Sequence, residues 1–206
     1  DITHPKTGQV LYSPLLQPGS ELLWGVLAGP QPFSNATETY RYLVAKDQAW
    51  DPASFDAAVD VEKMDAAAAV LNTAGDNLKP FFARGGKLLM YHGWNDQQNP
   101  ASTSVSYYTR VVNAAGKDAV GKSIQLYMVP GMTHCQGGVG TDTFDKIAAV
   151  EEWMAKGTAP AQIVASHATD GKINRTRPLC PYPQVAVYKG AGSTDEAASF
   201  SCRNPR

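Results

Sequence analysis

Two short stretches hold the residues whose types and spacing could do chemistry. The first reads Lys87-Leu88-Leu89-Met90-Tyr91-His92-Gly93-Trp94-Asn95-Asp96. The second reads Ile124-Gln125-Leu126-Tyr127-Met128-Val129-Pro130-Gly131-Met132-Thr133-His134-Cys135. Each is an apolar, strand-forming run, then a glycine-bearing turn, then an ionisable residue. An imidazole titrates close enough to neutrality to take and return a proton, and a neighbouring carboxylate can fix its tautomer and stabilise the imidazolium. Asp96 followed 38 positions later by His134 has the order of the last two members of a Ser…Asp…His triad. The nucleophile has no counterpart, because no G-x-S-x-G occurs in the 206 residues. Cys135 cannot replace it, since adjacent residues on one loop project apart and a base must reach its nucleophile.

The other ionisable groups read more simply. His4 falls in a terminal turn and His167 follows the short segment 163–165, so both read as structural or solvated. His92 closes a strand and reads as a satisfied histidine at the edge of the core. His134 alone would read the same way, but Asp96 on the neighbouring loop turns the balance toward catalysis. Asp142 and Asp145 are rival acids placed where a helix N-terminus favours carboxylates for capping alone.

Elements that alternate strand with helix must position this pair. The strand 88–92 is followed by a predicted helix from about Ser102 to Ala115, with Val105, Tyr108, Val111, Val112 and Ala115 at helical spacing. The strand 124–129 is followed by a predicted helix from about Thr143 to Lys156. This alternation means βαβ units, a parallel sheet and an α/β class, with reactive groups at the C-terminal strand edge. Two strands are too few for such a sheet, so others must come from outside this stretch. Upstream, residues 1–35 are dense in Pro and Gly and read as irregular. Ser34 is the expected N-cap of a helix through Thr37 to Lys46. A second helix is expected from Ser54 or Asp56, a third over Lys63 to Leu71, a turn at 72–76 and a short helix over Leu78 to Arg84 before Gly85-Gly86.

Composition excludes several classes. Eighteen basic and 19 acidic residues give a net charge of −1, which offers no electrostatic case for nucleic acid or an anionic membrane. Apolar runs such as 66–71 are far too short to span a bilayer. Asp1 begins in polar sequence with no signal peptide, so any targeting segment is expected upstream or already removed. Cys180 and Cys202 flank a loop-like tail poor in core residues, which a cross-link would stabilise by about 3 kcal/mol. Cys135 is then left over, pointing to a partner outside the sequence; three free thiols in a cytosolic protein is the competing reading.

The stretches Gly85 to Asp96, Val129-Pro130-Gly131-Met132-Thr133-His134-Cys135 and Thr176-Arg177-Pro178-Leu179-Cys180-Pro181-Tyr182-Pro183 resemble secreted tannases and feruloyl esterases, a group that includes a mono-hydroxyethyl terephthalate hydrolase. The resemblance runs along essentially the whole chain. It implies the C-terminal part of an α/β-hydrolase fold over 76–206, preceded over 1–75 by the end of a lid domain. It implies a disulfide between Cys135 and a Cys beside the nucleophilic Ser, both in an upstream segment. No metal site or cofactor is expected within the chain, and a structural calcium is expected in the upstream part of the lid. Trp24 and Arg41 are similar to positions where the family places an aromatic wall and a cation over the acyl group. A secreted or periplasmic location follows from the same likeness.

The expected function is hydrolysis of esters of phenolic or aromatic acids through an acyl-enzyme, with Asp96 and His134 from this chain and the Ser from its upstream partner half. The competing expectation is a non-catalytic α/β-hydrolase-like module that binds an aromatic ligand or a protein.

Overall fold

A computed structural model describes residues 2–3, 6–8, 10–12, 16–27, 29–71, 75 and 77–205. His4 and most of the turn expected at 72–76 lie outside the described residues. The chain forms two compact units, residues 1–15 with 21–75 and residues 16–20 with 76–206. The second unit is therefore not one run of sequence. Among the described residues no helix is long and apolar enough to cross a membrane.

In the first unit, β1 (Ile2–Thr3) pairs antiparallel with β2 (Val10–Tyr12). Helix α1 (Ser34–Thr39) continues as a π-helix over Tyr40–Ala45. Ser34 is not the N-cap it was expected to be: Phe33 holds that position and no side chain caps the end. The two helices expected over 54–71 are one, α2 (Ala57–Leu71), because the Asp56 carboxylate accepts the Ala58 N–H at 2.9 Å and starts a single continuous run. Tyr40 is buried between Trp50, 4.4 Å away centroid to centroid, and Phe55.

The second unit is built on a parallel pair, β3 (Leu88–Gly93) and β4 (Ile124–Val129), in register from Leu88↔Ile124 to Gly93↔Val129. The helices α3 (Lys79–Ala83), α4 (Ala101–Ala115), α5 (Lys117–Ser123) and α6 (Lys146–Lys156) surround it. Side-chain alternation sends successive residues to opposite faces. On one face Leu88, Met90, Ile124, Leu126 and Met128 pack with residues of α4 and α5, among them Ala101, Val111 and Val120. On the other face Leu89, Tyr91, Tyr127 and Val129 pack with Phe144, Ala149, Ile163 and Leu179. Burial on both faces is why the strands read as nearly continuous apolar runs. Helix α6 begins at Lys146, three residues later than expected, because Asp145 Oδ1 caps the Ala148 N–H at 2.8 Å while Thr143 forms a bridge with Ser166.

After α6 comes an antiparallel hairpin, β5 (Ile163–Thr169) and β6 (Lys172–Leu179), turning at Asp170-Gly171, both with positive φ. The tail past Cys180 is not loop-like. It holds β7 (Val185–Tyr188) and β8 (Phe200–Arg203), paired antiparallel, and Cys180 is bonded to Cys202. The Tyr182 N–H donates to Leu126 O at 2.7 Å, so residues 181–182 lie along the outer edge of β4. Among the described residues β3 pairs with β4 only.

Candidate active site

Both loops leave the C-terminal ends of β3 and β4, and backbone contacts hold them side by side. Trp94 N–H donates to Val129 O at 2.9 Å and Asn95 N–H to Met132 O at 3.0 Å. The Asn95 side chain spans two segments, accepting the Gly131 N–H at 3.0 Å and donating to Pro18 O at 2.9 Å. Glycine makes the approach possible: a Cβ at Gly93 would sit 2.2 Å from Met132 O, and one at Gly140 1.9 Å from Pro130 O. The second loop folds back on itself, with Thr133 N–H on Gly137 O and Gly140 N–H on Gly131 O.

This scaffold brings the Asp96 carboxylate and the His134 ring together, with Oδ2 2.9 Å from Nδ1. Asp96 is almost completely buried and its carboxylate is fully engaged. Oδ1 accepts the N–H groups of Gln98 and Asn99, each at 2.8 Å, and Oδ2 accepts from His134 and from His92 Nε2 at 3.1 Å. Burial disfavours its charge, but the hydrogen bonds from His92, Asn99, His134 and Gln98 outweigh that and hold its carboxyl well below the usual carboxylate range. His134 Nδ1 also lies 3.5 Å from Asn99 Nδ2, and the His134 N–H donates to Gln97 Oε1 at 3.3 Å. With Nδ1–H given to the carboxylate, Nε2 carries the lone pair, and about a third of the side chain is exposed. An ionised orienting acid beside an imidazole with an open Nε2 is the arrangement of a general base.

His92 is the satisfied histidine at the end of a strand that its position suggests, but one of the groups that satisfies it is the acid itself, since its Nε2 shares Asp96 Oδ2 with His134. The alternation of β3 held a signal for this: His92 has the parity of Leu88 and Met90, which face α4. The rival acids do other work. Asp145 caps α6, and Asp142 accepts the Gly137 N–H at 2.7 Å. His167 lies within β5 and bonds Asn174 Oδ1 through Nδ1 at 2.8 Å. Cys135 is exposed, unbonded and in the left-handed region at φ 64°. Trp24 and Arg41 belong to the first unit. The Trp24 side chain is partly exposed, and the Arg41 guanidinium pairs with Glu38 and reaches Trp50 O at 3.4 Å. Among the described residues no group of three or more His, Cys, Asp or Glu side chains could hold a metal.

The crystal structure of an esterase from Aspergillus oryzae matches this chain with a TM-score of 0.84 at 29% identity, over 96% of this chain and 43% of that one. The fold is thus shared with esterases of the α/β-hydrolase type. The chain belongs to the tannase and feruloyl esterase family, whose model matches residues 26–203. It is 46% identical over 132 residues to the mono(2-hydroxyethyl) terephthalate hydrolase of Piscinibacter sakaiensis, covering 63% of this chain and 22% of that protein. It is 31% identical over 221 residues to a probable feruloyl esterase B-2 of Aspergillus terreus, covering 95% and 41%. The chain spans less than half the length of each of these relatives.

Proposed function

We propose that this chain supplies the acid–base half of a serine carboxylesterase acting on esters of phenolic or aromatic acids. The observation that carries the reading is the 2.9 Å contact between a buried, ionised Asp96 and the open-sided His134, at the strand ends of a chain whose family is that of tannases and feruloyl esterases. The Ser belongs to an upstream segment of the same protein. It attacks the ester carbonyl while His134 Nε2 takes its proton; His134 then protonates the departing alcohol and later activates the water that frees the acid. Asp96 orients the ring and stabilises the imidazolium throughout. The upstream segment is also the proposed partner of Cys135 beside His134 and of the edge of β3 that no described strand pairs.

In the same reading residues 1–75 form the end of the lid, and Trp24 and Arg41 contact the acyl group. The Cys180–Cys202 bond supports a secreted or periplasmic setting. A structural calcium stays assigned upstream on the family resemblance, and no step is routed through it.

The test is to express the full-length protein that contains this chain and follow release of acid from methyl ferulate, methyl gallate and mono(2-hydroxyethyl) terephthalate. Turnover that falls by roughly four orders of magnitude on Asp96→Asn is expected, since a triad that loses its orienting carboxylate drops by about that factor. Binding of free aromatic acids without hydrolysis of any ester would instead favour a non-catalytic module.

A further inference from the structure

We propose that His92 is a positioning residue for the Asp96–His134 pair: a neutral imidazole that donates from Nε2 to Asp96 and is itself held through Nδ1 by Ser104 on α4. This inference rests on the esterase reading given above. Its basis is a continuous chain of contacts. Ser104 Oγ lies 2.7 Å from His92 Nδ1, His92 Nε2 lies 3.1 Å from Asp96 Oδ2, and the same Oδ2 lies 2.9 Å from His134 Nδ1. The His92 ring is nearly buried, unlike that of His134.

The partners of Nε2 place a hydrogen on it. Both neighbours of His92 Nε2, Asp96 Oδ2 and Asn99 O at 3.1 Å, are acceptors, so Nε2 carries the hydrogen. Nδ1 faces a hydroxyl, which can donate, so the neutral ring is satisfied on both sides. A cationic His92 would instead compete with the His134 imidazolium for a single carboxylate. The ionisable groups bonded in this network are Asp96, His92 and His134, and none of the ion pairs found among the described residues brings a Lys or Arg to it.

His92 has two effects on the pair. It completes a set of four donors on Asp96, two on each oxygen, so that the carboxylate cannot turn without breaking bonds at both ends. It also takes up part of the negative charge on the oxygen that His134 uses, so the carboxylate attracts the imidazolium proton less strongly and the proton remains on the ring. The register of the pair is thereby tied to α4, whose first turn holds Ser104.

The experiment compares His92→Phe, His92→Gln and Ser104→Ala with wild type in the full-length protein. Methyl ferulate serves as substrate, and the imidazoles are labelled with 15N for nuclear magnetic resonance. His92→Phe is expected to lower kcat about tenfold or more with little change in KM and to move the acidic limb of the kcat/KM profile to higher pH. His92→Gln, whose amide N–H reaches the position of Nε2, is expected to restore both. Wild type should show His92 as the neutral Nε2–H tautomer at pH 7, and Ser104→Ala should weaken that preference. Wild-type kcat and pH profile in His92→Phe, with only a lower melting temperature, would make His92 purely structural and overturn the proposal. A cationic or Nδ1–H His92 in wild type would overturn it too. If wild type hydrolyses no ester, the esterase reading fails; the tautomer and the shift of the His134 Nδ1 proton on removing His92 then decide the positioning claim alone.

Discussion

Gly93→Ala should show that the close approach of two backbones sets the spacing of the Asp96–His134 pair. A Cβ at this position would lie 2.2 Å from Met132 O, 2.7 Å from Met132 C and 2.7 Å from Thr133 O. Carbon and carbonyl oxygen approach comfortably only at about 3.3–3.6 Å, so the two loops must part by about 1 Å. All three obstructing atoms are backbone, and no rotamer change can relieve the clash. Met132 O is also the acceptor for Asn95 N–H at 3.0 Å, so that bond stretches beyond its useful range. Overpacking and one lost hydrogen bond together should cost about 2–4 kcal/mol of stability. Asp96 lies three residues beyond Gly93 and His134 two beyond Met132, and a displacement of about 1 Å at a reacting centre costs on the order of a hundredfold in rate. The assay is steady-state ester hydrolysis by the full-length protein beside thermal unfolding, with Gly121→Ala as control. A Cβ at Gly121 meets nothing within 4 Å, and the position lies in α5, so that variant should keep its rate and gain roughly 0.5–1 kcal/mol. A Gly93→Ala protein that folds and keeps kcat/KM within a few-fold of wild type would refute the claim that this glycine sets the spacing of the pair.

Two further outcomes follow from the packing. Replacing Cys180 and Cys202 together by Ala removes a link across 22 positions and should lower stability by about 3 kcal/mol in chemical denaturation, while the Asp96–His134 chemistry is retained; an unchanged denaturation midpoint would count against it. In the first unit, Asp60 accepts from Lys63 at 2.6 Å and from Asp56 N–H at 2.8 Å, and it also bonds Tyr40. These partners lower its pKa from the ordinary 3.8 to about 2, led by Lys63, while burial pushes the Tyr40 phenol up to about 12. The folded value lies below the unfolded one, so the stability Asp60 confers is complete above about pH 4 and is lost as pH falls through about 2. Melting temperatures measured from pH 5 to pH 2 should fall more in wild type than in Asp60→Asn, and parallel curves would show that Asp60 contributes nothing in this range.

Much of the second unit was legible because its strands are buried on both faces and its helices have one apolar side. The registers of 88–93 and 124–129 are near-continuous apolar runs, and α4 shows its stripe at helical spacing. What was not legible depended on contacts distant in sequence. Residues 163–179 contain an Asp170-Gly171 turn, a strong hairpin signal, but the flanking strands are largely polar and only a short segment around Ile163 reads as apolar. In the tail after Cys180 the run Val185-Ala186-Val187-Tyr188 is strand-forming but only four residues long among Pro, Gly and Ser, and β7 and β8 pair with each other beside the Cys180–Cys202 link. Asp142 and Asp145 both read as caps for α6, but only Asp145 reaches an N–H of the helix, which therefore starts at Lys146.

The candidate site divides in the same way. That Asp96 and His134 would meet was legible because both follow strands of one parallel sheet, and strand order alone brings their loops to one edge. What holds them in place was not, because it depends on atoms rather than on element order. Gly93 permits a backbone contact that no other residue allows, and Asn95 bridges Gly131 and Pro18 across 36 and 77 positions. His92 reaches Asp96 because it shares the parity of Leu88 and Met90 and so turns toward α4 and Ser104, while Tyr91, one residue earlier, turns the other way to meet Phe144 edge-on at 5.2 Å. A single-residue shift in the register of β3 would exchange these two side chains. It would leave Asp96 without its second imidazole and put a phenol against Ser104. The hydrophobic alternation that buries β3 therefore also selects which side chain supports the acid, and the fold and the proton network are specified by the same residues.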